Sequence, residues 1–291
     1  MTFTRQYRAV VEAGGDFFRA FYATRKHRLV LDDLETLCIF VGYPRSGHSV
    51  IGAALDAHPN MVIAHEMGLF RCLHLRFPAR AIYALLIENA RKHAANGRRV
   101  GPYLYKIEGQ WQGDYTTLKV IGDKHGEGAS RRLMKRPWLL TRLRRTFDLK
   151  IRVIHVIRNP YDNISTICSV TDKRLAPETV TATAPKPRLR QSIAHYFSLC
   201  KAVAWIKTQL GEDELFELRH EDFVQNPKQY LRLLCGFLGC EASDDYLDAC
   251  ASIVLGSPHE TRHKAPWDSS LMKKVEEGIR EYKFLQGYCF D

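Results

Sequence analysis

The sequence reads as a single α/β domain in which a central parallel β-sheet is flanked by helices. Three observations carry that reading. Short apolar runs recur at 37–43, 61–64, 118–121, 151–157 and 215–218, and runs of that length bounded by Gly, Pro or Asn read as buried strands. Longer stretches with helical periodicity alternate with them, at 50–57, 79–96, 130–147, 189–209 and 227–238. No internal repeat or low-complexity linker divides the 291 residues. Strands alternating with helices pack as a parallel sheet covered on both faces.

Taken in order, residues 1–35 form a polar helical segment with paired aromatics at Phe17-Phe18 and Phe21-Tyr22, and the domain proper runs over 36–291. The first strand, Leu37 to Tyr43, ends in Gly and Pro. Its helix, Val50 to Ala57, stops at His58-Pro59. Met61 to Ala64 is the second strand, and an Ala/Leu-rich helix covers 79–96. Tyr103–Trp111 and Leu118–Ile121 read as strands around a Gly113-Asp114 turn. A basic helix over 130–147 leads to the strand Ile151–Ile157, with another helix after Pro160. Residues 171–188 hold Pro177, Pro185 and Pro187 and read as a loop or lid. A charged helix over 269–282 closes the chain.

The formal charge is +11, a balance that suits anionic partners. Much of it lies in Arg131, Arg132, Lys135, Arg136, Arg142, Arg144, Arg145, Lys150 and Arg152, which read first as a solvated helix face. No aromatic residues interleave with these charges as on a single-strand stacking platform. The eight cysteines are scattered and none has zinc-ligand spacing, so a reducing compartment and no metal are expected. No run reaches the ~18–20 apolar residues of a membrane span. The N-terminus has no apolar core of a signal peptide, and a cytoplasmic location is expected.

Chemistry concentrates in Gly42-Tyr43-Pro44-Arg45-Ser46-Gly47-His48-Ser49. A strand, a Gly-containing turn and a helix N-terminus aim several backbone N–H groups at one point, which makes an anion cradle. Gly42 and Gly47 permit close approach, Arg45 adds a fixed charge and Ser46 and Ser49 add hydroxyls. Ser49 or His48 is placed to cap the helix. The spacing matches the nucleotide-triphosphate loop G-x-x-x-x-G-K-[ST] except that His48 stands where the lysine belongs. The cation has moved to Arg45, so the loop suits a phosphate but not Mg-ATP.

Tyr43 to Ser49 resembles the 5′-phosphosulfate loop of the sulfotransferase family, [YF]-P-[KR]-S-G-T-[ST]. Val156-Ile157-Arg158-Asn159-Pro160-Tyr161-Asp162-Asn163-Ile164-Ser165-Thr166 resembles that family's 3′-phosphate motif, R-[ND]-P-x-[DE]-x-x-x-[ST]. Leu218 to Pro227 with Leu234 to Gly239, Ile121 to Lys124, and the C-terminal Thr261 to Trp267 and Phe284 to Tyr288 extend the likeness across about 36–290. Arg45 replaces the commoner lysine and His48 the commoner threonine.

The resemblance implies a P-loop-containing nucleotide-binding architecture. It implies transfer of a sulfuryl group from 3′-phosphoadenosine 5′-phosphosulfate (PAPS) to a hydroxyl or amine of a small-molecule or carbohydrate acceptor, with 3′,5′-ADP (PAP) released and no metal needed. Arg45, Ser46, Gly47, His48 and Ser49 would hold the 5′-phosphosulfate, and Lys124 would be a second cation there. Arg158 with Thr166, or Ser165 one residue earlier, would hold the 3′-phosphate, and Arg262, His263 and Lys264 would close over it. Glu66 would be the general base, with His65 as competitor and His125 as a third option. Two other functions stay open on the residues: a P-loop kinase or NTPase, and a basic nucleic-acid-binding protein. The first lacks its lysine, and the second has no recognition signature.

Overall fold

The structure is a computed structural model that describes residues 31–174 and 185–291. The chain runs through β1 (Thr36–Gly42), α1 (His48–Asp56), β2 (Met61–His65), α2 (Leu69–His74), α3 (Ala79–Ala95), the short β3 (Arg99–Val100) and β4 (Tyr103–Leu104), β5 (Val120–Lys124), α4 (Gly126–Lys135), α5 (Trp138–Thr146) and β6 (Lys150–Ile157). Then follow α6 (Pro160–Arg174), α7 (Pro185–Lys207), β7 (Leu215–Arg219), α8 (His220–Gln225), α9 (Pro227–Leu238), α10 (Asp244–Ala251) and α11 (Ser269–Glu281).

Five strands form one sheet in the order β2-β5-β1-β6-β7. All four pairings are parallel. Period-two alternation in β1 explains the layering. Leu37, Ile39 and Val41 face a core built with α2, α3, α4 and α5, while Cys38 and Phe40 face one built with α1, α9 and α10. A third cluster joins Tyr43 to α6, α7 and α11 through Tyr161, Tyr196 and Val275. Every residue of β1 is buried, which is why it reads as a continuous apolar run.

The expected α/β domain with a central parallel sheet is thus what the chain forms. Several local readings change. Of the strand expected over 103–111 only Tyr103–Leu104 is extended, paired antiparallel with Arg99–Val100, and Leu118 lies outside β5. The basic helix over 130–147 is two helices, α4 and α5, because Pro137 cannot donate an in-helix hydrogen bond. Residues 171–174 and 185–188, read as lid, are helical; Pro185 and Pro187 sit in the first turn of α7, where a missing N–H costs nothing. Residues 175–184, and most of the N-terminal segment over 1–35, lie outside the described residues.

One buried ion pair ties the excursion between β2 and β5 to the sheet. Arg98 is 1% exposed and Asp56, at the end of α1, is fully buried. They pair directly. Asp56 also accepts the backbone N–H groups of Ile63 (2.7 Å) and Gly113 (2.7 Å), and Arg98 Nη2 donates to the Ile63 carbonyl at 3.3 Å. Removing one member leaves the other charge without a partner in the interior. Asp56→Ala is expected to cost about 3–5 kcal/mol in urea unfolding, and a loss under ~1 kcal/mol would show that the pair does not anchor this region.

Candidate active site

All five strands end at one edge of the sheet, and each end carries a polar group. Arg45 follows β1, Glu66 follows β2, Lys124 ends β5, Arg158 follows β6 and His220 follows β7. In an open parallel sheet this carboxyl edge is where ligands bind, beside the strand at which the connections switch direction. Here that strand is β1, with β5 on one side and β6 on the other.

The turn after β1 is held from several sides. The Gly42 N–H donates to Ser130 Oγ at 2.8 Å, and the Ser46 hydroxyl donates to the Tyr43 carbonyl at 3.1 Å. Arg45 adopts φ 67° and Gly47 φ 98°, left-handed conformations that the tight turn requires. A Cβ at Gly47 would lie 2.3 Å from His220 Nδ1, so only glycine fits there. Gly47 also occupies the helix cap position, and no side chain of the turn makes a cap hydrogen bond, neither Ser49 nor His48.

His48 turns inward. Its ring is buried, edge-on to Phe40 with centroids 5.6 Å apart, and Nδ1 lies 3.3 Å from Ser46 Oγ. Burial and then the nearby Lys124 charge lower its pKa to about 3, so the ring is neutral. Beneath the turn, Tyr43 and His155 form a buried pair. Glu217 accepts from His155 Nδ1 at 3.0 Å, which leaves Nε2 as the acceptor for the Tyr43 hydroxyl at 3.2 Å.

Arg158 connects the second turn to the first. Its Nη1 donates to the Arg45 carbonyl at 3.0 Å and to Thr166 Oγ1 at 3.4 Å, and its Nη2 donates to the His259 carbonyl. Thr166 therefore lies with Arg158, whereas Ser165 Oγ, buried, accepts from the Trp267 indole at 3.1 Å. Asp162 clamps the C-terminal segment here. It accepts from the backbone of Thr261 (2.6 Å) and Arg262 (2.8 Å) and from Arg262 Nη1 (2.7 Å). Arg262 is also paired with Glu260 at 3.0 Å, so its charge is engaged with carboxylates. His263 and Lys264 are exposed.

On the other side of β1, Lys124 Nζ donates to Glu66 Oε1 at 3.0 Å and to Ser49 Oγ at 3.3 Å. The lysine side chain is 3% exposed and that of Glu66 55%. Burial alone would raise the Glu66 pKa, but the Lys124 charge and hydrogen bond outweigh it and bring it to about 2. His65 pairs with Lys124 across the ladder, and its ring stacks on His93 with centroids 4.0 Å apart. Burial, then Lys124 and His93, lower the His65 pKa to about 3. Asp123 caps α2, accepting from the N–H groups of Met67 (3.0 Å), Gly68 (2.8 Å) and Leu69 (2.9 Å). That cap fixes the turn carrying Glu66, which itself sits at φ 54°.

Two residues at this edge, His220 and Glu221, were not among the expected site residues. His220 packs half-buried against Gly47, its enclosed Nδ1 has no partner among the described residues, and burial followed by the Arg158 charge lowers its pKa to about 4. Glu221 accepts the Asn159 N–H at 2.8 Å and the Tyr288 hydroxyl at 2.8 Å. Both lie in the Leu218–Pro227 stretch that extends the family likeness, and their position just after the last strand is a second clue, because that edge of the sheet is the binding edge. Tyr103 and Tyr105 stack at 6.0 Å, with Tyr103 acting electrostatically on Arg158 and Arg45 acting on Tyr105.

Two arginine-bearing turns at the carboxyl edge of a parallel sheet define a P-loop nucleotide-binding α/β protein. The chain belongs to the sulfotransferase family, whose model matches residues 38–244. Among solved structures it is similar to the sulfotransferase domain from the curacin biosynthetic pathway, with TM-score 0.52 and 16% identity over 86% of this chain and 99% of that one. It is also similar to sulfotransferase STF9 from Mycobacterium avium, with TM-score 0.55 and 14% identity over 97% and 86% of the two chains. At these identities the likeness is one of fold. No curated protein matches the sequence. The protein is a sulfotransferase. No helix among the described residues is long and apolar enough to cross a membrane.

The Lys124–Glu66 pair has a consequence for titration. A depressed carboxyl pKa stabilises the fold above the ordinary value of ~4.3, and that contribution is lost as pH falls toward about 2. Glu66 should stay ionised to about pH 2, and Lys124→Gln should move its titration up toward ~4.3. Carboxyl carbon NMR reads both, and an unmoved titration in the variant would remove the pairing as its cause.

Proposed function

We propose that residues 36–291 transfer a sulfuryl group to a hydroxyl or amine of a small-molecule or carbohydrate acceptor, with the carboxyl edge of the sheet as the reaction site. One contact carries the reading. Arg158 reaches the Arg45 carbonyl at 3.0 Å from a position that also contacts Thr166 at 3.4 Å. The two phosphate motifs are thereby joined through one guanidinium, as a single nucleotide with phosphates at both ends of its ribose requires.

PAPS supplies the sulfuryl group, and its 5′-phosphate departs with the electron pair of the broken S–O bond. The N–H groups of the 42–49 turn, Arg45 and Lys124 stabilise the charge that develops there. Such preorganised donors are worth ~10²–10³-fold each. Glu66 takes the acceptor's proton. It is held acidic while Lys124 pairs with it. Its basicity rises when Lys124 turns to the anionic phosphate, toward which Ser49 already marks the direction. His65 and His48, neutral and packed inward, are the weaker candidates for direct contact.

Arg158 and Thr166 hold the 3′-phosphate, while Arg262 serves as the clamp on Asp162. His220 Nδ1, buried without a partner beside Gly47 and Arg158, offers a further polar contact to the nucleotide. The Tyr103–Tyr105 pair offers a ring face for the base. A cytoplasmic setting is supported by eight cysteines that form no disulfide, seven of them buried.

PAP should raise the thermal midpoint, by about 2.7 kcal/mol of stabilisation at a hundredfold excess over Kd, and Mg-ATP should not. Stabilisation by Mg-ATP alone would overturn the reading. Arg45→Ala should lower kcat ~10²–10³-fold. Arg158→Ala should act mainly on KM for PAPS, and an unchanged KM would remove its assignment. Glu66→Gln should lower kcat ~10²–10⁴-fold with PAP affinity intact; unchanged kcat would pass the role to a histidine.

A further inference from the structure

Residues 286–290 lie across the ends of β6 and β7 and grip the turn that carries Arg158. Arg219, the last residue of β7, donates from Nη2 to the Gln286 carbonyl at 2.6 Å, and its guanidinium sits 4.6 Å from the centre of the Tyr288 ring. Between these two contacts the chain turns at Gly287, with φ 91°, a left-handed conformation that favours glycine. Beyond them the Phe290 ring packs edge-on against Tyr161 at 5.2 Å and against His263 at 5.5 Å. The segment is thus fixed on both sides of Tyr288 and Cys289.

Both of these residues reach Asn159. The Tyr288 hydroxyl donates to Glu221 Oε2 at 2.8 Å, and Glu221 Oε1 accepts the Asn159 N–H at 2.8 Å. The Cys289 carbonyl accepts from Asn159 Nδ2 at 2.9 Å, while Asn159 Oδ1 accepts the Tyr161 N–H at 3.0 Å in the first turn of α6. Asn159 is therefore held by its backbone N–H and by both polar atoms of its side chain. Arg158 is one peptide bond away. Its own hydrogen-bond partners are the Arg45 and His259 carbonyls and Thr166 Oγ1, all of them neutral.

We propose that Tyr288 is a positioning residue for the 3′-phosphate, acting through Glu221 and Asn159 on Arg158. A guanidinium fork binds a phosphate bidentately only where its plane is fixed, and the plane of Arg158 depends on the peptide from which the side chain springs. The half-buried Glu221 gives one oxygen to that peptide and the other to Tyr288. Without the hydroxyl, Oε2 loses its donor in a partly desolvated place. The carboxylate then turns toward water and releases the Asn159 N–H, and the fork loses its orientation. The inference rests on the assignment of Arg158 to the 3′-phosphate proposed above.

The test is calorimetric and needs no turnover. Tyr288→Phe keeps the ring on Arg219 and removes only the hydroxyl, so volume is conserved. Full-length protein is titrated with PAP and with 5′-AMP, which lacks the 3′-phosphate. The variant should bind PAP about tenfold more weakly, the scale of one hydrogen bond to a charged group, and bind 5′-AMP as the unmodified protein does. In an Arg158→Lys background the same change should cost PAP nothing further, because a compact charge on a flexible stem needs no fixed plane. Should Tyr288→Phe fold poorly, Glu221→Gln weakens the same two contacts and is expected to give the same selective loss. PAP affinity unchanged by Tyr288→Phe, an equal loss for both nucleotides, or a loss repeated in the Arg158→Lys background would overturn the proposal. Where 5′-AMP binds too weakly to read, the Arg158→Lys comparison decides alone. Failure of PAP itself to bind the unmodified protein would remove the reading beneath it, a separate result.

Discussion

The backbone ladder between β1 and β6 runs through seven residue pairs, from Thr36–Lys150 to Gly42–Val156. Parallel pairing makes the two strands finish together, so the turns that follow leave the sheet side by side. Arg158 then needs only the length of its own side chain to reach the Arg45 carbonyl. A one-residue slip would turn Leu37, Ile39 and Val41 to the opposite core and separate the two turns. Fold stability and site assembly thus depend on the same register.

The rest of the site consists of buried cations held by partners suited to them. Arg158 meets two carbonyls and a hydroxyl, Lys124 a carboxylate and a hydroxyl, and Arg98 a carboxylate and a carbonyl. Desolvation penalises a charge that lacks such partners. The same field keeps neighbouring imidazoles neutral. His48 and His65 are both lowered to about 3, so they add no positive charge to the edge beside Arg158 and Lys124.

Much of this was legible in advance, for reasons that can be traced to particular residues. A fully buried strand such as β1 reads as an apolar run, and Gly42 and Gly47 mark a turn whose geometry requires them. Side-chain direction was less accessible. Nothing local tells that His48 packs against Phe40 or that Ser165 serves Trp267 while Thr166 faces Arg158. The charge of Arg262 reads as a phosphate ligand until Asp162, 100 positions earlier, is found beside it. The basic run looks uniform until Arg131, Arg144, Lys150 and Arg152 are found paired with Glu127, Glu214, Glu35 and Asp213.

The sequence by itself determined the parallel α/β class, the two phosphate motifs and the family, because these rest on local periodicity and short spacings. Only the tertiary structure decided which partners each charge has: Lys124 with Glu66, Asp56 with Arg98, Arg158 with the Arg45 carbonyl. Those pairings join residues 42 to 113 positions apart. They follow from strand order and helix packing rather than from any local preference, and they set which groups are charged, which are neutral and which face the reacting edge.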